Sequence, residues 1–216
     1  METHNTSLII GSTGLIGNKL LYELAKKDTE IIAITRRPIN NLPENVSLLN
    51  IDFDDFLQNG VLPSCNHIYI CLGTTIKKAG SQSEFKKVDF DYCVTFAKKA
   101  REVGATKISM ISSVGASPFT NNFYLKIKGE VEEEIKKIDF QVINIFRPSL
   151  LLGRREESRF LEKIGQNLSS FINLFLIGYF RKYRSIKSSN VAYCIANCEQ
   201  SDGVRYFYFD DFNNNY

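Results

Sequence analysis

SLIIGSTGLIG, residues 7–17, is the stretch whose reading decides the fold. The apolar run Leu8–Ile10 passes directly into three glycines, Gly11, Gly14 and Gly17, and a helical apolar pattern starts at Leu15. A strand that runs into a glycine turn and then opens a helix is the setting a phosphate-binding loop requires. Glycines let the backbone turn tightly and approach a pyrophosphate, whose charge the helix N-terminus stabilises. The rival reading is a glycine-rich turn that holds no ligand. The strand before it and the helix behind it favour the loop.

Outward from this point, short β-branched runs alternate with longer amphipathic ones. Strands are expected at Ser7–Ile10, Glu30–Thr35, Val46–Asn50, His67–Cys71, Lys107–Ser112 and Gln141–Phe146. Helices are expected near Leu15–Lys26, Glu84–Val103 and Phe123–Ile138. Such alternation implies a parallel sheet covered on both faces, and the near-continuous apolar character of Ile31–Ile34 and Ile68–Cys71 fits strands buried on both sides. The expectation is an α/β fold of the Rossmann type, a doubly wound parallel sheet with a small C-terminal cap. Beyond Pro148 the pattern loosens into an apolar segment, Leu161–Phe180, followed by the basic RKYR, a helix near Asn190–Asn197 and a last strand, Arg205–Phe209, at the sheet edge. With 216 residues and no repeat or compositional break, the chain reads as one domain, with about residues 150–200 forming the cap.

Composition narrows the function classes. A net charge of +3, with bases interleaved among acids, lacks the concentrated stripe that nucleic-acid binding needs. The five cysteines, Cys65, Cys71, Cys93, Cys194 and Cys198, are odd in number and scattered, which argues against a disulfide framework. With only His4 and His67 beside them, no metal site is expected. The N-terminus shows no secretory signal, no stretch approaches transmembrane length, and the protein is read as cytosolic.

The candidate chemistry lies at strand ends. The second strand ends in Arg36 and Arg37, where NAD-preferring sites usually place an acid for the ribose hydroxyl. Two arginines there favour the 2′-phosphate of NADP(H), against the plainer reading of solvated loop charges. Asp52 and Phe53, after the third strand, are placed to meet an adenine, Asp52 at its amino group and Phe53 at its face; the alternative for Asp52 is a helix cap. Tyr124 and Lys128 stand four apart on a helix and share a face. An ammonium beside a phenol stabilises the phenolate, which makes the pair an acid/base candidate. Ser113, with Ser112 in reserve, supplies a hydroxyl from the preceding strand end to polarise a carbonyl. A tyrosine at the edge of the core, with its hydroxyl bonded to backbone, is the competing account.

Three blocks, CLGTTIKKAG (71–80), YLKIKGEVEEEI (124–135) and FRPSLLLGRREESRF (146–160), together with the Gly-x-x-Gly-x-x-Gly spacing, resemble the Tat-interacting-protein group of atypical short-chain dehydrogenases. The resemblance spans about residues 7–160. It implies a Rossmann fold, NADPH binding and an intact Tyr-Lys pair. On that pattern Ser12, Thr13, Gly14, Leu15 and Ile16 line the phosphate loop, Arg36 and Arg37 hold the 2′-phosphate, and Leu72, Gly73 and Thr74 lie on the adenosine side. Tyr124 and Lys128 are implied to be catalytic, with Lys128 also on the nicotinamide ribose; Pro148 and Leu151 pass the carboxamide, and Arg159 lies near cofactor or substrate.

Two segments keep two readings each. Arg154, Arg155 and Arg159 either hold an anionic substrate or form a solvated loop with Glu156 and Glu157. SFINLFLIGYFRKYR either packs against its own domain or touches a membrane surface or acyl chain. Taken together, the residues point to an NADP(H)-dependent oxidoreductase with a small-molecule substrate. The alternative is an NADPH sensor that acts through a protein partner, and a protein partner or a homodimer fits either.

Overall fold

A computed structural model describes residues 5–27, 30–152, 178–199 and 201–213. Arg154, Arg155, Arg159, most of the apolar segment 161–180 and most of the expected cap lie outside the described residues.

The strands are β1 (Thr6–Ile10), β2 (Glu30–Thr35), β3 (Val46–Asn50), β4 (His67–Ile70), β5 (Lys107–Ile111), β6 (Val142–Phe146) and β9 (Gly203–Phe207), with a separate short pair, β7 (Leu151–Leu152) and β8 (Ile186–Lys187). The main sheet runs β3-β2-β1-β4-β5-β6-β9, parallel throughout. Chain direction across the sheet therefore reverses between β1 and β4. In a doubly wound sheet this opens a crevice beyond the carboxyl ends of those two strands. The central strands β1, β4 and β6 are buried at every position, whereas the edge strand β3 is buried only at Val46.

Helices cover both faces, because each presents an apolar stripe that only the sheet can bury. On one side α2 (Phe53–Asn59), α5 (Cys93–Glu102) and α6 (Phe123–Lys136) bring Phe56, Phe96, Val131 and Ile135 against Ile68, Ile70 and Ile108. On the other, α1 (Leu15–Ala25) and α7 (Ser188–Asn197) bring Leu20, Leu24, Val191 and Ile195 against Ile9, Ile31 and Phe146. The helix expected over Glu84–Val103 is present but not uniform. It starts with α4 (Gln82–Lys86), after the short α3 (Ile76–Ala79), widens into a π turn over Lys87–Tyr92, and tightens again as α5. An extra residue per turn leaves no mark in a hydrophobic pattern read at helical period.

His67 on β4 is buried at 6% exposure, stacks on Tyr69 at 4.0 Å, and lies 3.0 Å from the Ser109 hydroxyl on β5. Burial, helped by the nearby Lys107 charge, depresses its pKa to about 3. The unfolded chain takes up this proton below about pH 6.5, so it binds more protons than the folded chain between the two values. The stability contribution is thus complete above about pH 6.5 and is lost as pH falls toward 3. Resistance of the native protein to denaturant should weaken as pH falls through that window, and His67→Gln should flatten the dependence. Equal slopes for the two proteins would refute the assignment.

Candidate active site

The glycine turn lies at the β1–β4 reversal. Gly11 has φ +83°, a left-handed conformation that favours glycine, and the Gly14 N–H donates to its carbonyl at 2.9 Å. A Cβ on Gly11 would sit 2.6 Å from the Cys71 carbonyl, and one on Gly17 would sit 2.1 Å from the Gly11 oxygen. Those two glycines let helix, turn and β4 meet backbone to backbone. Gly14 differs: it is exposed, and a Cβ there would lie 3.2 Å from the nearest atom. Gly14 is also the N-cap of α1, with no side-chain cap, and the first turn carries no acid. The first-turn N–H groups therefore keep their capacity for an anion. Ser12 is fully buried within the turn, and its hydroxyl has no hydrogen-bond partner among the described residues. Thr13 is exposed.

A cleft opens beside this turn. Gly14, Leu15 and Ile16 form one wall, and Leu72, Gly73 and Thr74 after β4 form the next. Pro148, Leu151, Ser112, Ser113, Tyr124 and Lys128 also line it. Residues expected at a cofactor and residues expected at the chemistry thus share one cleft. Arg36 and Arg37 lie at the end of β2 and are exposed, with the Arg36 guanidinium 5.5 Å from the Phe53 ring centre. Asp52 caps α2, its carboxylate accepting from the Asp54 and Asp55 N–H groups at 2.7 and 3.1 Å. Phe53 is 3% exposed and packs edge-on against Tyr92 and Phe96. Neither Asp52 nor Phe53 lines the cleft.

Helix α6 carries Tyr124 and Lys128, the side chains expected at the chemistry. Asn122 caps it by accepting from the Leu125 N–H, which sets the helical phase so that Tyr124, Lys128 and Glu132 share one stripe. Tyr124 is half-buried, its ring 5.6 Å from that of the buried Phe85 on α4. The Lys128 ammonium is 6% exposed and lies 2.7 Å from Asp89 Oδ1, contributed by the π turn. Burial alone pushes the ammonium pKa down; the charges of Asp89, then Tyr124 and Cys93, outweigh it, and the net direction is up.

The two serines are not equivalent. The Ser112 hydroxyl is buried and donates to Glu132, whereas Ser113 is half-buried and, among the described residues, its hydroxyl makes a 3.4 Å contact with the Val114 carbonyl. Glu132 is itself held by Arg147, through a 3.0 Å bond from Nε and a second bond from the other guanidinium nitrogen. Arg147 also donates to the Tyr208 hydroxyl at 3.0 Å and stacks on Tyr206 at 4.5 Å. The loop that carries Ser113 lies directly on α6, because a Cβ on Gly129 would fall 2.3 Å from the Ser117 backbone.

Sequence reading missed Asp89, Glu132 and Gly129. Glu132 was legible as the third member of the four-residue spacing. Asp89 has its partner on another helix, and Gly129 matters only once the loop has folded onto it.

A parallel sheet of this order with a glycine turn at its reversal defines a nicotinamide-dinucleotide-binding α/β protein. Residues 7–173 match the NAD dependent epimerase/dehydratase family, and the chain belongs to that family of oxidoreductases. Among relatives, the Candida albicans protein FMP52, mitochondrial, is 32% identical over 77% of this chain and 76% of its own. The rat protein HTATIP2 is 33% identical over 70% of this chain and 64% of its own, in keeping with the Tat-interacting-protein resemblance. Solved structures share the fold at lower identity. MoeE5 in complex with UDP-glucose and NAD has TM-score 0.67 at 13% identity, covering 94% of this chain and 75% of that one. Human epimerase family protein SDR39U1 with NADPH has TM-score 0.63 at 18% identity, covering 94% and 74%.

The relatives' names overturn the cytosolic expectation. The Candida albicans protein and its Saccharomyces cerevisiae counterpart, also 32% identical, are both named mitochondrial. That expectation rested on the lack of a secretory signal and of a membrane-length stretch, and neither bears on delivery to an organelle. Among the described residues no helix is long and apolar enough to cross a membrane.

The glycine contacts lead to a graded expectation. Gly17→Ala must displace the Gly11 carbonyl and should destabilise the domain by about 3 kcal/mol, the upper end of ordinary overpacking. Gly14→Val should leave the thermal midpoint within a few degrees of native while weakening dinucleotide binding. Comparable melting losses for the two variants would contradict this account of the turn.

Proposed function

We propose that the protein is an NADP(H)-dependent oxidoreductase of the short-chain dehydrogenase type, acting on the carbonyl or alcohol group of a small molecule. The observation that carries the reading is the meeting of Ser113, Tyr124 and Lys128 with the glycine turn in one cleft. The residues present fit a dinucleotide: an uncapped helix N-terminus without acids, a turn in which Gly11 and Gly17 leave no space for a Cβ, and a buried Ser12 hydroxyl without a partner among the described residues. Gly14, Leu15 and Ile16 would hold the pyrophosphate, Leu72, Gly73 and Thr74 the adenosine side, and Pro148 and Leu151 the carboxamide. Arg36 and Arg37 are exposed cations where a 2′-phosphate would fall, which supports NADP(H) over NAD(H).

When bound, the nicotinamide supplies or accepts the hydride. The Ser113 hydroxyl, free of the Glu132 network that occupies Ser112, donates a hydrogen bond to the substrate oxygen and orients it. The Tyr124 hydroxyl gives a proton to that oxygen in reduction and takes one in oxidation. The Lys128 ammonium stabilises the phenolate that results, and it is well placed to do so because it remains charged in a buried site.

Calorimetry at fixed salt should find NADPH bound at least about tenfold tighter than NADH, a difference of about 1.4 kcal/mol. The double change Arg36→Ala, Arg37→Ala should abolish that preference, and equal affinities in the native protein would reject it. With an aldehyde, ketone and quinone panel, Tyr124→Phe should lower turnover by about 10²–10⁴ while preserving cofactor affinity. Full activity in Tyr124→Phe would remove the tyrosine from the mechanism. Tight NADPH binding without turnover of any carbonyl would instead favour a dinucleotide sensor.

A further inference from the structure

Asp89 is unused in the mechanism above, yet its carboxylate is fully buried in the wall of the same cleft. A buried carboxylate is costly unless it is paired. This one has two arms. Oδ1 lies 2.7 Å from Lys128 Nζ, and apart from that charge contact it has no hydrogen-bond partner among the described residues. Oδ2 accepts the Thr74 backbone N–H at 2.8 Å. Gly73, between Leu72 and Thr74, lies against the pair: a Cβ there would be in ordinary contact with Asp89 Oδ1 at 3.4 Å and Lys128 Nζ at 3.6 Å. The groups whose charges bear on the ammonium are Asp89 from the π turn, Tyr124 from its own helix and Cys93 from α5. The wider turn at Lys87–Tyr92 is the local departure from α-helix that carries Asp89.

We propose that Asp89 is a positioning residue that holds the Lys128 ammonium at the floor of the cleft and couples it to the loop Leu72–Thr74, against which the dinucleotide would lie. The coupling rests on the dinucleotide reading given above; the two contacts of Asp89 do not. Motion of the loop on binding would pull on Oδ2, and the same rigid carboxylate would transmit it to the lysine through Oδ1. Cofactor occupancy and the placement of the catalytic ammonium are then linked by one side chain.

Two variants separate the arms. Asp89→Asn removes the counter-charge but keeps an oxygen for the Thr74 N–H, and Asp89→Ala removes both. In protein with ¹³Cε-labelled lysine, native Lys128 should stay protonated to the alkaline limit of folding. In Asp89→Asn it should lose its proton at lower pH, because burial then acts unopposed. Exchange of the Thr74 amide should match native in Asp89→Asn and be about tenfold faster or more in Asp89→Ala, the effect of losing a hydrogen bond to a charged group. Adding NADPH should shift the Lys128 signal in the native protein and shift it less in both variants. Identical lysine titrations in native and Asp89→Asn would overturn the proposal, as would a Lys128 signal that NADPH moves equally in all three proteins. Failure of native protein to bind NADPH would refute the dinucleotide reading instead, while the titration still decides whether Asp89 holds the lysine. Should Asp89→Ala not fold, the titration and the NADPH response of Asp89→Asn carry the decision.

Discussion

Three stretches of backbone meet at the reversal of the sheet with no room for a side chain between them. The carbonyl of Gly11 lies where a Cβ of Gly17 would be, and the carbonyl of Cys71 lies where a Cβ of Gly11 would be. The Cys71 N–H also donates to the Ile10 carbonyl at 2.8 Å, so the turn and the end of β4 are bound together. This contact sets the angle at which α1 leaves the sheet. It also brings the first turn of α1 beside Leu72–Thr74, and so forms the walls of the cleft. Everything placed at the carboxyl ends of the strands depends on it.

The second constraint is electrostatic. Helix α6 buries Lys128 and Glu132 four residues apart, and each is matched by an opposite charge from a different element: Asp89 from the π turn and Arg147 from the end of β6. Removing one member of a buried pair leaves an uncompensated charge, with a typical cost of about 3–5 kcal/mol. Intact, such a pair adds little net stability over apolar residues of similar volume, so its chief effect is on placement. The Lys128 pair lies in the lining of the cleft. The Glu132 pair occupies the Ser112 hydroxyl, whereas the Ser113 hydroxyl lies outside that network. Burial of charge in this helix serves to decide which polar groups remain available.

Membership of the NAD dependent epimerase/dehydratase family accounts for the sheet and the glycine turn, and leaves the cofactor's ribose open. Neighbours of the same fold are described with NAD in one case and with NADPH in another, at 13% and 18% identity. At the end of β2, where dinucleotide-binding folds in general distinguish a ribose hydroxyl from a 2′-phosphate, this chain has Arg36 and Arg37 and no acid.

Sheet class, strand positions and the glycine turn were all legible in the residues themselves. β2 and β3 have the bounds that the apolar runs predict, and α1 begins at Leu15 as its pattern requires. Tyr124 and Lys128 were legible for the same reason, since a four-residue spacing on a helix is a local property. The capping of α2 by Asp52 was legible only as one of two options, because a carboxylate after a strand serves a helix and a ligand equally well. The parallel docking of β9 against β6 had only its edge position in the pattern; its direction came from the path of the chain. Asp89, the π turn, the division of labour between Ser112 and Ser113, and the need for Gly129 were decided by tertiary structure alone. Each depends on a partner far away in sequence: Asp89 on Lys128, Ser112 on Glu132, Gly129 on the backbone of Ser117. Periodicity records which face of an element is buried, and it cannot record which charge or backbone segment will be waiting there.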